Sequence, residues 1–169
     1  MQGKTSSNLP IPPFMVGKPR RLHEVFQNFS PALFFVTINT ADRRPILAND
    51  EIHHALRNYA LQNVVHGRVM GRYVIMPDHV HCFIRVGQNG RLSDYVRLLK
   101  QSVSKTVKAL CGPLTHYWQP GFFDHLLRHG ESYSQKWLYV EQNPVRAGLV
   151  SRVEDWPYQG EIARLEWND

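Results

Sequence analysis

Cysteine is nearly missing from this chain. Cys82 and Cys111 are the only two, and without Cys-x-x-Cys spacing they indicate neither a zinc knuckle nor a disulfide framework. Long apolar runs are missing too. None approaches the roughly 18 uninterrupted residues of a membrane span, and the N-terminus lacks the apolar segment of a signal peptide. The expectation is a soluble cytoplasmic protein with no membrane partner. Internal repeats and low-complexity tracts are absent, so 169 residues are expected to form one domain with a real core. Acids are outnumbered, 14 Asp and Glu against 20 Lys and Arg. Beyond Val150 the balance reverses: Glu154, Asp155, Glu161, Glu166 and Asp169 face only Arg152 and Arg164. The remaining body is therefore more basic than the net +6 of the whole chain. A basic, arginine-rich body favours a polyanion, with nucleic acid first and a nucleoid association implied.

Three segments are expected. Residues 1–19, rich in Pro, Gly, Ser and Asn, read as a flexible arm. Residues 20–158 read as the folded domain, and 159–169 as an acidic tail. Within the domain, the run Leu33-Phe34-Phe35-Val36-Thr37-Ile38-Asn39-Thr40 is β-type. Asn49 or Asp50 can cap a helix that reaches about residue 65 and stops at His66-Gly67. Strands are expected over 69–76 and 79–86, then a helix over 93–110 stopped by Gly112-Pro113. A fourth strand over 122–128 and a helix over 131–142 complete the series, with Trp156 and Trp167 packing back on the body. The order matches an α+β, ferredoxin-like split βαβ: a four-stranded antiparallel sheet, helices on one face, and an extra C-terminal helix.

Chemistry concentrates at Met76-Pro77-Asp78-His79-Val80-His81-Cys82-Phe83-Ile84. Side chains alternate along a strand, so His79 and His81 share one face and Val80 takes the other. Two imidazoles on a rigid sheet make half of a divalent-metal site; two ordinary surface histidines are the plainer alternative. In the helix over 131–142, Tyr133 falls beside Trp137 and Val140 at helical spacing, whereas Tyr139 shares the polar face with Asn143 one turn on. His79, His81 and the Asn143 amide oxygen form a mixed N and O set that suits Mg²⁺ or Mn²⁺ acting on a phosphate. Tyr139 is then placed as a nucleophile, although a phenol needs help because its ordinary pKa is about 10.

These residues resemble a known family. His79-Val80-His81 matches the His-hydrophobic-His motif of HUH endonucleases. Tyr139-Val140-Glu141-Gln142-Asn143-Pro144-Val145-Arg146 is similar to the nucleophile helix of single-tyrosine transposases, most of all the REP-associated tyrosine transposases. Tyr117-Trp118-Gln119-Pro120-Gly121-Phe122-Phe123-Asp124-His125 and Trp156-Pro157-Tyr158 resemble the same group, over about residues 20–158. The resemblance implies a metal-dependent endonuclease and strand transferase for single-stranded DNA, often hairpin-forming. Tyr139 would form a covalent 5′-phosphotyrosine, and His79, His81 and Asn143 would hold the metal. It also implies a monomer or a homodimer.

Further DNA footholds are Arg20 and Arg21 at the end of the arm, Arg43 and Arg44 after the first strand, and Arg146. Arg97, Lys100, Lys105 and Lys108 form a stripe on the second helix. Tyr117 and Trp118 are candidates for stacking on bases. The rival reading is a non-catalytic nucleic-acid-binding module on the same fold, against which stands the missing aromatic strand signature of such modules. A structural metal domain is disfavoured by too few Cys and His ligands.

Overall fold

The computed structural model describes residues 32–87, 90–127 and 133–165. Five strands form one antiparallel sheet: β1 (Ala32–Asn39), β2 (Arg68–Ile75), β3 (His79–Val86), β4 (Phe123–Leu126) and β5 (Gln159–Glu161), in the order β4-β1-β3-β2-β5. Two long helices, α1 (Asp50–Asn63) and α2 (Leu92–Cys111), are joined later in the chain by α3 (Tyr133–Glu141) and the single turn α4 (Asn143–Arg146). The helix starting near Asn49 is borne out: the Asn49 side chain accepts hydrogen bonds from the backbone N–H groups of Glu51 and Ile52. Gly67 ends the following turn at φ +68°, and Gly112 ends α2 at φ +78°.

Alternation along β3 divides the molecule. Val80, Cys82, Ile84 and Val86 point to one face, where they meet Ile52, Leu56 and Tyr59 of α1 and Tyr95, Val96, Leu99 and Val103 of α2. Phe83 points to the other, into a smaller cluster with Phe35, Val74, Val140 and Trp156. The expected single helical layer therefore holds for α1 and α2 only. The apolar stripe of α3, carrying Tyr133, Trp137 and Val140, packs on the opposite face, with Tyr133 4.5 Å from Phe83 between ring centroids.

The sheet has five strands instead of four. Residues 159–161 pair with β2, Arg72 facing Glu161 and Val74 facing Gln159, and Leu165 is buried behind them. The described part of the acidic tail, 159–165, thus packs on the body. Nothing in Gln-Gly-Glu alternates in polarity, so pairing with β2 makes this strand. A bulge in β2 makes room for it: Met70 faces Ile84 and Tyr73 faces Cys82, leaving Gly71 and Arg72 opposite one residue. A Cβ on Gly71 would sit 2.5 Å from Leu165 Cδ1, so only glycine lets the tail lie this close.

Candidate active site

His79 and His81 project from the start of β3 onto the face that α3 covers, as the alternation predicts. Their rings meet edge to face with centroids 4.6 Å apart, and the two Nε2 atoms are 3.1 Å apart. The remaining nitrogen of each ring is engaged. Asp78 Oδ1 lies 2.6 Å from His79 Nδ1, and Thr37 Oγ1 lies 2.9 Å from His81 Nδ1. A carboxylate can only accept, so His79 carries its proton on Nδ1 and turns the Nε2 lone pair inward. Arg43 Nη2 also approaches His79 Nδ1, at 3.4 Å; the shorter contact with Asp78 sets the tautomer. The Thr37 hydroxyl, which can donate or accept, holds the His81 ring in place.

Arg43 completes this layer. Its Nε lies 2.7 Å from Asp78 Oδ2, and its Nη1 donates to Asn39 Oδ1 at 2.5 Å. Asp42 and Arg43 adopt left-handed φ values of +55° and +54° in the turn after β1, a conformation side chains adopt at a cost. Buried Thr40 ties the same turn to the Pro77-Asp78 corner through its backbone N–H, 2.9 Å from the Asp78 carbonyl.

Burial is the first cause that lowers the pKa of both histidines. The charges of His79, Arg43 and Arg146 push His81 further, to about 3, against a weaker pull from Asp78. For His79, burial outweighs the hydrogen bond and charge of Asp78. Both imidazoles are neutral near pH 7, the state in which they bind metals.

Across from them, α3 breaks at Gln142, and Pro144 stands in the first turn of α4. Tyr139 is 67% exposed. The Arg146 guanidinium lies 4.0 Å from its ring centroid and donates to Asn143 Oδ1. The expected stripe of Tyr139 and Asn143 is thus joined by Arg146. Two contacts tie it to the histidines: Phe35 stacks on His81 at 5.4 Å, and Lys136 Nζ lies 5.4 Å from the Phe35 ring centroid. Arg146 is near enough for its charge to act on His81.

Would a divalent cation fit? Ligands at neighbouring positions of an octahedron with bonds of about 2.1 Å are about 3 Å apart. The two Nε2 atoms, 3.1 Å apart, match that spacing, with a proton or a cation between them. Among the described residues, no group of three or more His, Cys, Asp or Glu could hold a metal ion.

Other expected footholds lie elsewhere. Arg97, Lys105 and Lys108 sit on α2, across the sheet from the histidines. Lys100 turns inward, its Nζ donating to the carbonyls of Gln119 at 2.9 Å and Gly121 at 2.5 Å. Arg44 pairs with Asp42 at 3.0 Å. Arg20 and Arg21, like Trp167, lie outside the described residues. Tyr117 and Trp118 pack partly buried against the larger core, and Trp118 Nε1 donates to Ser104 Oγ at 2.8 Å; both hold the fold. The sequence assigned no role to Asp78, Thr37 or Lys136. Asp78 had a signal in its adjacency to His79. Thr37 had none, since only strand register brings it to His81.

Known proteins share this fold. The family model described as "Transposase IS200 like" matches residues 33–143, which covers both histidines, Tyr139 and Asn143. The chain belongs to this transposase family. Within it, the chain is similar to the REP-associated tyrosine transposase of Escherichia coli (strain K12), 28% identical over 127 residues that make up 74% of this chain and 73% of that one. A solved REP-associated tyrosine transposase bound to a REP hairpin aligns with TM-score 0.61 and 27% identity over 78% of this chain and 77% of that chain. A crystal structure from Deinococcus radiodurans shares the fold at TM-score 0.51 and 20% identity, over 68% and 92% of the two chains. Among the described residues, no helix is long and apolar enough to cross a membrane.

Proposed function

We propose that this transposase cuts and rejoins single-stranded DNA through a covalent tyrosine intermediate, and that it requires Mg²⁺ or Mn²⁺. The observation that carries the reading is the convergence of the His79 and His81 Nε2 atoms at 3.1 Å, each ring fixed from behind by Asp78 or Thr37. His79, His81 and the Asn143 oxygen would hold the ion, which supplies Lewis-acid polarisation of the scissile phosphate. The Tyr139 phenol gives up its proton and its oxygen bonds to phosphorus. The bond from phosphorus to the 3′-oxygen breaks, and that oxygen takes up a proton. The products are a 5′-phosphotyrosine and a free 3′-OH. Attack by a second 3′-OH reverses the exchange and joins strands without ATP, because the phosphodiester energy is retained in the tyrosine ester.

Arg43, Lys136 and Arg146 surround the pair with positive charge suited to the scissile and neighbouring phosphates. Arg97, Lys105 and Lys108 would reach only DNA that continues past the sheet edge. A hairpin is the preferred substrate, supported by the solved relative bound to a REP hairpin.

The test mixes the protein with labelled hairpin DNAs bearing single-stranded flanks, taken from around its own gene, with Mn²⁺ present. A denaturation-resistant protein–DNA band is expected, lost in both Tyr139→Phe and His81→Ala. A band that survives Tyr139→Phe removes the assigned nucleophile. Tight binding without any band would favour the non-catalytic module.

A further inference from the structure

Residues 121–123 turn two consecutive phenylalanines in opposite directions. Gly121 takes φ +71°, a value that suits glycine, and β4 begins two residues later. Phe122 packs against the larger core under α1 and α2. Phe123, the first residue of β4, stays 59% exposed. Its register states where it points: Phe123 faces Thr37 on β1, and Thr37 faces His81 on β3. Directly paired residues share a face, so Phe123, Thr37 and His81 form one row across the sheet. At about 4.8 Å per strand, the backbone of Phe123 lies about 10 Å from that of His81.

A singly exposed apolar side chain needs no explanation in general. This one is exposed on the same face as His81 and in the same row. We propose that Phe123 is a stacking platform for one unpaired base of the DNA strand, next to the nucleotide whose phosphate lies at His79 and His81. The inference rests on the nuclease reading and adds a base-binding subsite to it. Phenylalanine has a flat face and no polar tip, so it suits a base of any identity. A cation for the attached backbone is at hand in Lys136, whose Nζ lies 5.4 Å from the ring centroid of Phe35, which stacks on His81.

A second copy of the chain is the competing occupant. A stable interface takes about 800 Å² from each partner, whereas one Phe side chain buries about 200 Å². β4 is only four residues long, and its next residue on this face, His125, is only partly exposed. The area argues for a base.

The experiment uses the full chain carrying Tyr139→Phe, so that binding is read without chemistry. Affinity is measured by fluorescence anisotropy for hairpin DNAs in which successive flank nucleotides are made abasic one at a time. At one position the abasic change is expected to weaken binding about 5- to 150-fold. Adding Phe123→Ala should weaken the intact DNA by a similar factor and make the abasic change at that position neutral; Phe123→Trp should restore the sensitivity. An abasic profile that Phe123→Ala leaves unchanged overturns the proposal, as does a shift from dimer to monomer on that substitution. Failure of the nuclease reading looks different: no Tyr139-dependent adduct in the unsubstituted protein, whatever the abasic profile.

Discussion

Under α1 and α2 the sheet is apolar, with Val80, Cys82 and Ile84 of β3 meeting two helices. On the reverse of the same strand, His79 and His81 stand beside Thr37 under a short helix whose tyrosine is open to solvent. The two faces differ in what each side chain is asked to do. The first contributes stability, by removing large apolar groups from water. The second holds neutral imidazoles in a partly dry setting where their basicity is suppressed. One strand serves both because alternation sends Val80 into the larger core while its neighbours His79 and His81 take the other face.

The sharpest way to break this comparison is to exchange losses between the faces. Tyr139→Phe should reduce covalent adduct formation by more than about 10³-fold while leaving the urea midpoint unchanged, since the lost hydroxyl belongs to an exposed ring. Leu56→Ala, at a position 1% exposed beneath the sheet, should cost about 2–5 kcal/mol of stability. Urea unfolding followed by circular dichroism reads both. A destabilised Tyr139→Phe would mean that the open face also carries the fold.

Metal affinity gives the next effect. Mn²⁺ binding, followed by calorimetry, should be lost in His79→Ala and His81→Ala. In Asp78→Asn it should weaken about 10- to 100-fold, because an outer partner orients its ligand without touching the ion. Unchanged affinity in Asp78→Asn would show that the 2.6 Å contact does not set the tautomer.

Opposite pH dependence separates the faces more gently. His81 has its pKa lowered from 6.5 to about 3, by burial first and by the charges of His79, Arg43 and Arg146. The unfolded chain therefore binds a proton that the folded chain refuses, and stability falls as pH drops from 6.5 towards 3. Tyr59, on the apolar side, has its pKa raised by burial from 10 to about 12. Its contribution is complete below pH 10 and is lost as pH rises towards 12. Comparing stability–pH curves with those of His81→Gln and Tyr59→Phe should flatten the acid limb in one and the alkaline limb in the other.

The smallest effect concerns salt. Arg146→Ala should reduce the slope of log affinity against log salt by about 1. Lys108→Ala, across the sheet, should change it by less. Equal slopes would mean that DNA wraps past the sheet edge onto α2.

Much of the candidate site was legible in the sequence because its parts are local. The alternation of a strand suffices to put His79 and His81 on one side, and the helical period suffices to separate Tyr139 from Tyr133 and align it with Asn143. The capping Asn49 and the helix stop at Gly112 are equally local. By contrast, β5 owes its existence to pairing with β2, so its own three residues could not announce it. The role of Asp78 was not legible because the Pro77-Asp78 corner, tied down by Thr40, leaves strand geometry and turns the carboxylate back onto His79.

The sequence by itself determined the kinds of groups and their order within each element, since backbone periodicity acts over a few residues. Which groups meet was decided only by the tertiary structure. Thr37 reaches His81 across 44 residues of chain, α3 covers the face that α1 and α2 leave free, and Phe123 remains open in the row of His81. Each of these depends on register and on which surface another element buries, which are properties of the whole sheet and not of any one strand.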